Sequence, residues 1–304
     1  MFRFENTKSV NGCHVSRLRE HAHASVKHGT YLCQHSINRQ INMFDSELFK
    51  KKTVVVTGSS SGIGAEIART FARAGANVVI HGRGGGEKLD TVAKELTSLG
   101  AKNNTVRADF SAPDFDAQAF VDLAWRQFES IDVWINNAGG DVLTGDFENA
   151  SFNEKLKYLL TVDVESTLSL SRAVGARMKS TSNTDANYSI INIGWDQAWI
   201  GMAGDSGDTF AATKGAIMAS TKSLAHSFAP EVRVNCIAPG WIKTEWGHDT
   251  SEYWDQRAQR QSLMKRWGTP QDVAGAAVFL ASPAASFISG QVVNVNGGFN
   301  SYPE

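Results

Sequence analysis

Between Val56 and Arg69 the chain reads Thr57-Gly58-Ser59-Ser60-Ser61-Gly62-Ile63-Gly64, and a helical pattern, Ala65-Glu66-Ile67-Ala68-Arg69, follows at once. Gly58 permits a tight turn, Gly62 lets the backbone come close to a bound group, and Gly64 lets a helix pack closely. A helix that starts there presents unpaired N–H groups and the positive end of its dipole, which suits phosphate oxygens. Glycines at such spacing also build purely structural turns. Placed after a first strand and opening a first helix, they point to the pyrophosphate of a dinucleotide. Ser60, Ser61 and Ile63 join the three glycines as expected contacts.

Dinucleotide folds that use NAD(H) commonly end their second strand with a carboxylate that binds the adenosine ribose hydroxyls. Here that stretch is Val79-Ile80-His81-Gly82-Arg83, without an acid. Arg83 offers a charge-assisted fork to a 2′-phosphate. Its plain alternative is a solvent-exposed loop arginine. The expected cofactor is NADP(H) rather than NAD(H).

These residues need a scaffold, and the pattern supplies one. Candidate strands are Thr53 to Thr57, Asn77 to His81, Thr105 to Ala108, Ile131 to Asn136, Ser189 to Ile193, Val232 to Ala238 and Val292 to Val295. Candidate helices begin near Gly62, Glu87, Phe115, Phe152, Thr209 and Pro270. Short β-branched runs alternating with amphipathic segments predict a Rossmann-type, doubly wound, mainly parallel sheet of about seven strands with helices on both faces. Near-continuous apolar strands such as Val54-Val55-Val56 fit a sheet covered on both sides. No repeat or long linker interrupts this α/β region, which reads as a single domain from 43 to 304.

Residues 1–42 differ. They carry His14, His21, His23, His28 and His35, several basic residues, few acids and no sustained period. They read as a disordered extension or as a start placed upstream of Met43, with an organelle leader as the alternative. No pair of these histidines stands at i, i+4 beside a third ligand, so no metal site is expected. Over 304 residues the formal net charge is −1, with 42% hydrophobic and 20% charged residues. That balance argues against nucleic acid and for a small-molecule substrate. Three scattered cysteines make no disulfide framework. No stretch is apolar enough to cross a bilayer, so no membrane association and a cytoplasmic location are expected.

The glycine motif, Asn136-Asn137-Ala138-Gly139, Pro239-Gly240 and the run Gly290-Gln291-Val292-Val293-Asn294-Val295-Asn296-Gly297-Gly298 together resemble the short-chain dehydrogenase/reductase family from about Met43 onward. The segments Arg233 to Trp241 and Arg266 to Ala274 look most like its 3-oxoacyl-carrier-protein reductases. The resemblance implies an NADP(H)-dependent oxidoreductase acting on a carbonyl or alcohol. It also implies that Asp109 contacts adenine, that Asn137, Ala138 and Gly139 line the dinucleotide, and that Asn136 stabilises the central sheet. By the same resemblance Pro239, Gly240 and Thr244 meet the nicotinamide end, and Lys214 binds the nicotinamide ribose.

At the reacting end the pattern breaks. The family implies Tyr and Lys at i and i+4, where the lysine lowers the phenol pKa. This chain has Phe210 and Lys214. A serine implied after the fifth strand is absent from Gly194-Trp195-Asp196-Gln197, and an implied asparagine is Asp163. A general acid contributes roughly 10²- to 10⁴-fold and an oxyanion donor about 10²- to 10³-fold, so both losses matter. Asp196 is the expected replacement for proton transfer, raised in pKa by burial beside Trp195 or Trp199, or else a carboxylate that pairs with Lys214 or caps the loop. Asp205 and Asp208 are further candidates. Asp163 is either a proton relay or a buried counter-ion to Lys214. A nucleotide-binding sensor or scaffold, and non-redox acid-base chemistry, stay open as alternatives.

Trp195, Trp199, Trp241 and Trp246 are candidates for a substrate pocket or for packing. Residues 247–261 resemble a substrate lid, with Trp254 placed to close it. Long apolar faces at Phe152 to Met178 and Thr209 to Phe228 suit assembly as a homotetramer or homodimer.

Overall fold

The structure, a computed structural model, describes residues 46–84, 86–181, 187–248 and 250–299. The expected N-terminal extension and its boundary at Met43 lie outside them.

Seven strands form one all-parallel sheet in the order β3-β2-β1-β4-β5-β6-β7. They are β1 (Thr53–Val56), β2 (Asn77–Gly82), β3 (Asn103–Arg107), β4 (Val133–Asn136), β5 (Tyr188–Ile193), β6 (Val232–Pro239) and β7 (Val292–Val295). The helices are α1 (Gly62–Arg73), α2 (Glu87–Ser98), α3 (Ala117–Trp125), α4 (Phe152–Leu159), α5 (Ser166–Ser180), α6 (Gln197–Ile200), α7 (Asp205–Phe228), α8 (Glu245–His248), α9 (Glu252–Gln261) and α10 (Pro270–Ala281).

Side chains alternate across each strand, and both faces are covered. Val54, Val56, Val78 and Ile80 pack with Ile67 and Phe71 of α1, Leu89 of α2 and Val273 of α10. Val55, Val79 and Trp134 pack on the other face with Phe120 of α3, Leu170 and Val174 of α5 and Phe228 of α7. This alternation is why strands so uniformly apolar do not leave an exposed face. The strand order reverses between β1 and β4, which opens a crevice at the carboxyl ends of those two strands.

Element boundaries moved where capping decides them. The third helix starts at Ala117, two residues later than the pattern suggests. Asp116 caps it by accepting from the Gln118 and Ala119 N–H groups. The seventh starts at Asp205 rather than near Thr209, directly after Gly204 at φ +101°. Asp205 and Asp208 are therefore exposed acids in its first turn, favourably placed on the helix dipole. Helices α6, α8 and α9 were not expected, and α9 falls within residues 247–261, the stretch that resembles a lid. No helix among the described residues is long and apolar enough to cross a membrane.

Candidate active site at the carboxyl edge of the sheet

The glycine loop is held against the start of the β4–α4 connection. A Cβ at Gly58, where φ is +61°, would lie 2.6 Å from the Ala138 Cα, and one at Gly64 would lie 2.4 Å from both the Gly58 carbonyl oxygen and Asn137 Nδ2. Only bare backbone fits there. Asn137 donates from Nδ2 to the carbonyls of Thr57 and Gly58, each at 2.9 Å. The Thr57 hydroxyl accepts from the N–H groups of Asn137 and Ala138. Helix α1 carries no acid in its first turn, so its positive end is unopposed. Ser60, Ser61, Gly62 and Thr244 line a cleft of about 690 Å³, while Ile63 is packed partly against the core. These features fit a dinucleotide pyrophosphate.

His81 was missed as a site residue. Its Nδ1 accepts from the Gly58 N–H at 3.1 Å, leaving Nε2 to donate to the Ala108 carbonyl at 3.0 Å. Its ring stacks on Phe110 at 4.3 Å. One neutral imidazole thus ties the ends of three strands together. Burial lowers its pKa to about 4. A histidine interrupting an otherwise aliphatic strand was the available signal.

Beyond His81 opens a second cleft, of about 450 Å³, reached by Arg83, Asp109, Ala138, Gly139, Phe147 and Tyr158. The Arg83 guanidinium donates to the Tyr158 hydroxyl at 3.2 Å, and Tyr158 stacks on Phe147 at 4.1 Å. Neither aromatic residue was anticipated, because the connection carrying Phe147 gives no periodic signal. The surroundings of Arg83 are less cationic than its strand implies, since Asp109, Asp141 and Asp146 also line this cleft. Asp109 accepts from the Ser111 N–H and hydroxyl, and Asp141 accepts from the Leu143 and Thr144 N–H groups. Both are therefore partly committed to their own turns.

At the reacting end, α4 and α5 form one continuous helix broken by a π turn over Leu160–Glu165. Such turns carry an extra residue and cluster at functional positions. Asp163 sits in it, fully buried. Its Oδ1 accepts from the Gly140 N–H at 2.7 Å, and its Oδ2 lies 2.9 Å from Lys214 Nζ. A Cβ at Gly139 would be 3.3 Å from Nζ, so the backbone lies close against the pair. The sequence left Asp163 open between relay and counter-ion, and the structure shows it ion-paired with Lys214. One turn earlier on α7, the Phe210 ring meets the half-buried Trp195 edge to face, with centroids 6.1 Å apart.

Asp196 is not brought to this pair. It is 2% exposed; Oδ2 accepts from Asn296 Nδ2 at 3.0 Å, and Oδ1 has no partner among the described residues. A Cβ on Gly240 would come within 3.1 Å of Oδ2. Burial raises the Asp196 pKa to about 6. The anticipated rise through burial is present, and Trp199 itself is 83% exposed.

Trp241, following Pro239 and Gly240, packs on Trp254 of α9 at 5.6 Å and on Trp267 at 5.9 Å. Arg257 lies over the Trp241 and Trp254 rings. The Trp246 side chain lies outside the described residues. Asn136 does bind the central strands, donating to Asn192 Oδ1 and the Ser171 hydroxyl, each at 2.9 Å.

Comparison with known proteins agrees with this geometry. A family model described as enoyl-(acyl carrier protein) reductase matches residues 58–300. An uncharacterized oxidoreductase of Mycobacterium tuberculosis is 35% identical over 81% of this chain and 91% of its own length. A 3-oxoacyl-[acyl-carrier-protein] reductase of Aquifex aeolicus is 33% identical over 81% of this chain and 96% of its own. Among solved structures, a 7α-hydroxysteroid dehydrogenase complexed with NADH and 7-oxo glycochenodeoxycholic acid superposes with a TM-score of 0.74 at 30% identity, covering 85% of this chain and 98% of that one. A 3-oxoacyl (acyl-carrier-protein) reductase from Agrobacterium tumefaciens with NADP bound gives 0.72 at 28%, covering 88% and 100%. The glycine loop, the strand order and these matches lead to one conclusion: the chain belongs to the short-chain dehydrogenase/reductase family of oxidoreductases.

Proposed function

We propose that this chain is an NADP(H)-dependent oxidoreductase with a conventional dinucleotide half and an altered reacting half. The observation that carries the cofactor preference is Arg83, presented by the Tyr158 hydroxyl at the mouth of a cleft whose adjoining strand ends without an acid. Solved relatives hold either NADH or NADP, so the preference is argued from Arg83 alone.

In this reading the α1 amides and Ser60 to Gly64 hold the pyrophosphate, Arg83 holds the 2′-phosphate, and Asp109 flanks the adenine. Asn137, Ala138 and Gly139 form the floor. Lys214, fixed by Asp163, holds the nicotinamide ribose, and Pro239, Gly240 and Thr244 meet the nicotinamide. When bound, the cofactor supplies or accepts a hydride at the substrate carbon. The small-molecule substrate class implied by the family is a carbonyl or its alcohol, as in 3-oxoacyl-carrier-protein reductases. Phe210 and Trp195 put no hydroxyl where that chemistry takes its proton and its oxyanion contact. Simple ketones should therefore turn over roughly 10²- to 10⁴-fold more slowly than with an intact acid. Assembly as a homotetramer or homodimer through α5 and α7 belongs to the same proposal.

Titration calorimetry with NADPH and NADH tests the cofactor half. NADPH should bind more tightly, and Arg83→Ala should weaken it about 10- to 100-fold while leaving NADH unchanged, as expected for hydrogen bonds to a charged group. Equal affinity for both cofactors in the wild type would overturn the preference.

A further inference from the structure

Three departures at the reacting end change its electrostatics in the same direction. Where the family resemblance implies a phenol and a serine hydroxyl, Phe210 and Trp195 present aromatic rings packed edge to face. Where it implies a neutral asparagine beside the lysine, Asp163 lies 2.9 Å from Lys214 Nζ and cancels its charge. An oxyanion that develops here meets neither hydroxyl, and the net positive charge is gone. A cation meets two aromatic rings, whose faces attract positive charge, and a lysine already neutralised.

From this we infer that the hydride acceptor is an iminium ion, C=N⁺, rather than a ketone; the inference rests on the dinucleotide chemistry proposed above. The balance needs no general acid. The iminium carbon gains a C–H bond, and the C=N π pair moves onto nitrogen as its lone pair. The two electrons come from the reduced nicotinamide dinucleotide, which is oxidised, and a neutral amine remains. A ketone in the same position would need a proton as well. Positive charge on the substrate falls as the reaction proceeds, so Trp195 and Phe210 serve mainly to collect and orient the cation, and Asp163 to keep Lys214 from repelling it.

The probes are N-methyl iminium salts of pyrroline, tetrahydropyridine and dihydroisoquinoline, which have no N–H proton to lose, each paired with a ketone of the same ring size. Binding is read from tryptophan fluorescence with NADP⁺ present, and turnover from NADPH oxidation corrected for the enzyme-free rate. At least one salt should bind at least tenfold more tightly than its ketone. It should also be reduced with a kcat/KM about 100-fold higher or more, the scale of a missing general acid. Trp195→Leu should weaken salt binding without altering NADPH affinity. Phe210→Tyr should raise ketone turnover at least tenfold without raising iminium turnover. Equal or preferred reduction of the ketones overturns the inference, as does NADPH binding with no salt bound. Failure to bind NADPH at all overturns the cofactor reading itself, and this inference with it.

Discussion

The Asp196 carboxylate receives one side-chain hydrogen bond, from Asn296 Nδ2 at 3.0 Å, and its other oxygen is buried without a partner among the described residues. A carboxylate so placed favours its protonated form. Its pKa is about 6 when folded, above the ordinary value of 3.8, so the folded state holds a proton that the unfolded chain releases. Stability from this group is complete below the ordinary value and declines as pH rises through about 6. Asp196→Asn should therefore stabilise the protein at about pH 8 by up to about 3 kcal/mol and change little near pH 4. Thermal melts at both pH values check this. An unchanged or lower melting temperature at the higher pH would contradict it.

His81 acts with the opposite sign. Its folded pKa of about 4 lies below the ordinary 6.5, so its contribution is complete above the ordinary value and lost as pH falls through that interval. Between about pH 4 and 6 the two groups offset one another, since one folded site holds an extra proton and the other lacks one. His81→Gln should leave a stability that falls with rising pH across that window, and Asp196→Asn one that rises. Denaturant titrations at several pH values would expose the two slopes, and parallel curves for all three proteins would refute the pairing.

Gly64→Ala should be severe. The added carbon meets the Gly58 carbonyl at 2.4 Å, and that atom is backbone in the glycine loop. We expect a loss of about 1–3 kcal/mol, the usual cost of overpacking. Calorimetry should find NADPH binding reduced at least tenfold in the fraction that folds, because the loop moves with the clash. Wild-type affinity in a stable Gly64→Ala protein would count against the close approach.

Removing the buried anion tests the pair at Lys214. Asp163→Ala leaves a nearly buried ammonium uncompensated and should cost about 3–5 kcal/mol. Asp163→Asn retains an acceptor for the Gly140 N–H and should cost less. The double variant Asp163→Asn, Lys214→Met should be more stable than the sum of the single losses, with a coupling of about 1 kcal/mol or more in denaturant titrations. Strict additivity would mean the two charges do not interact.

Much of the fold was legible because its signals are local. Short β-branched, near-continuous apolar runs and glycine-punctuated turns located all seven strands, and one helix start shifted because a single cap decides it, at Asp116. The glycine loop was legible for the same reason, since Gly58, Gly62 and Gly64 lie within one short segment. Residues that meet only through the tertiary structure were not. His81 joins Gly58 to Ala108, Tyr158 reaches back 75 positions to Arg83, and Asn296 reaches 100 to Asp196. No spacing rule connects such pairs. Asp163 was named from its sequence neighbours, but the π turn that buries it has no compositional mark.

That turn makes part of the site a matter of residue count. An α-helix advances about 100° per residue, and the extra residue within Leu160–Glu165 lets the segment around Asp163 bulge while α5 keeps its orientation. Deleting Thr161 would remove no group of the site, yet it would restore a regular helix and swing either Asp163 or all of α5 around the axis. The number of residues at this point therefore positions Asp163 as surely as their identities do.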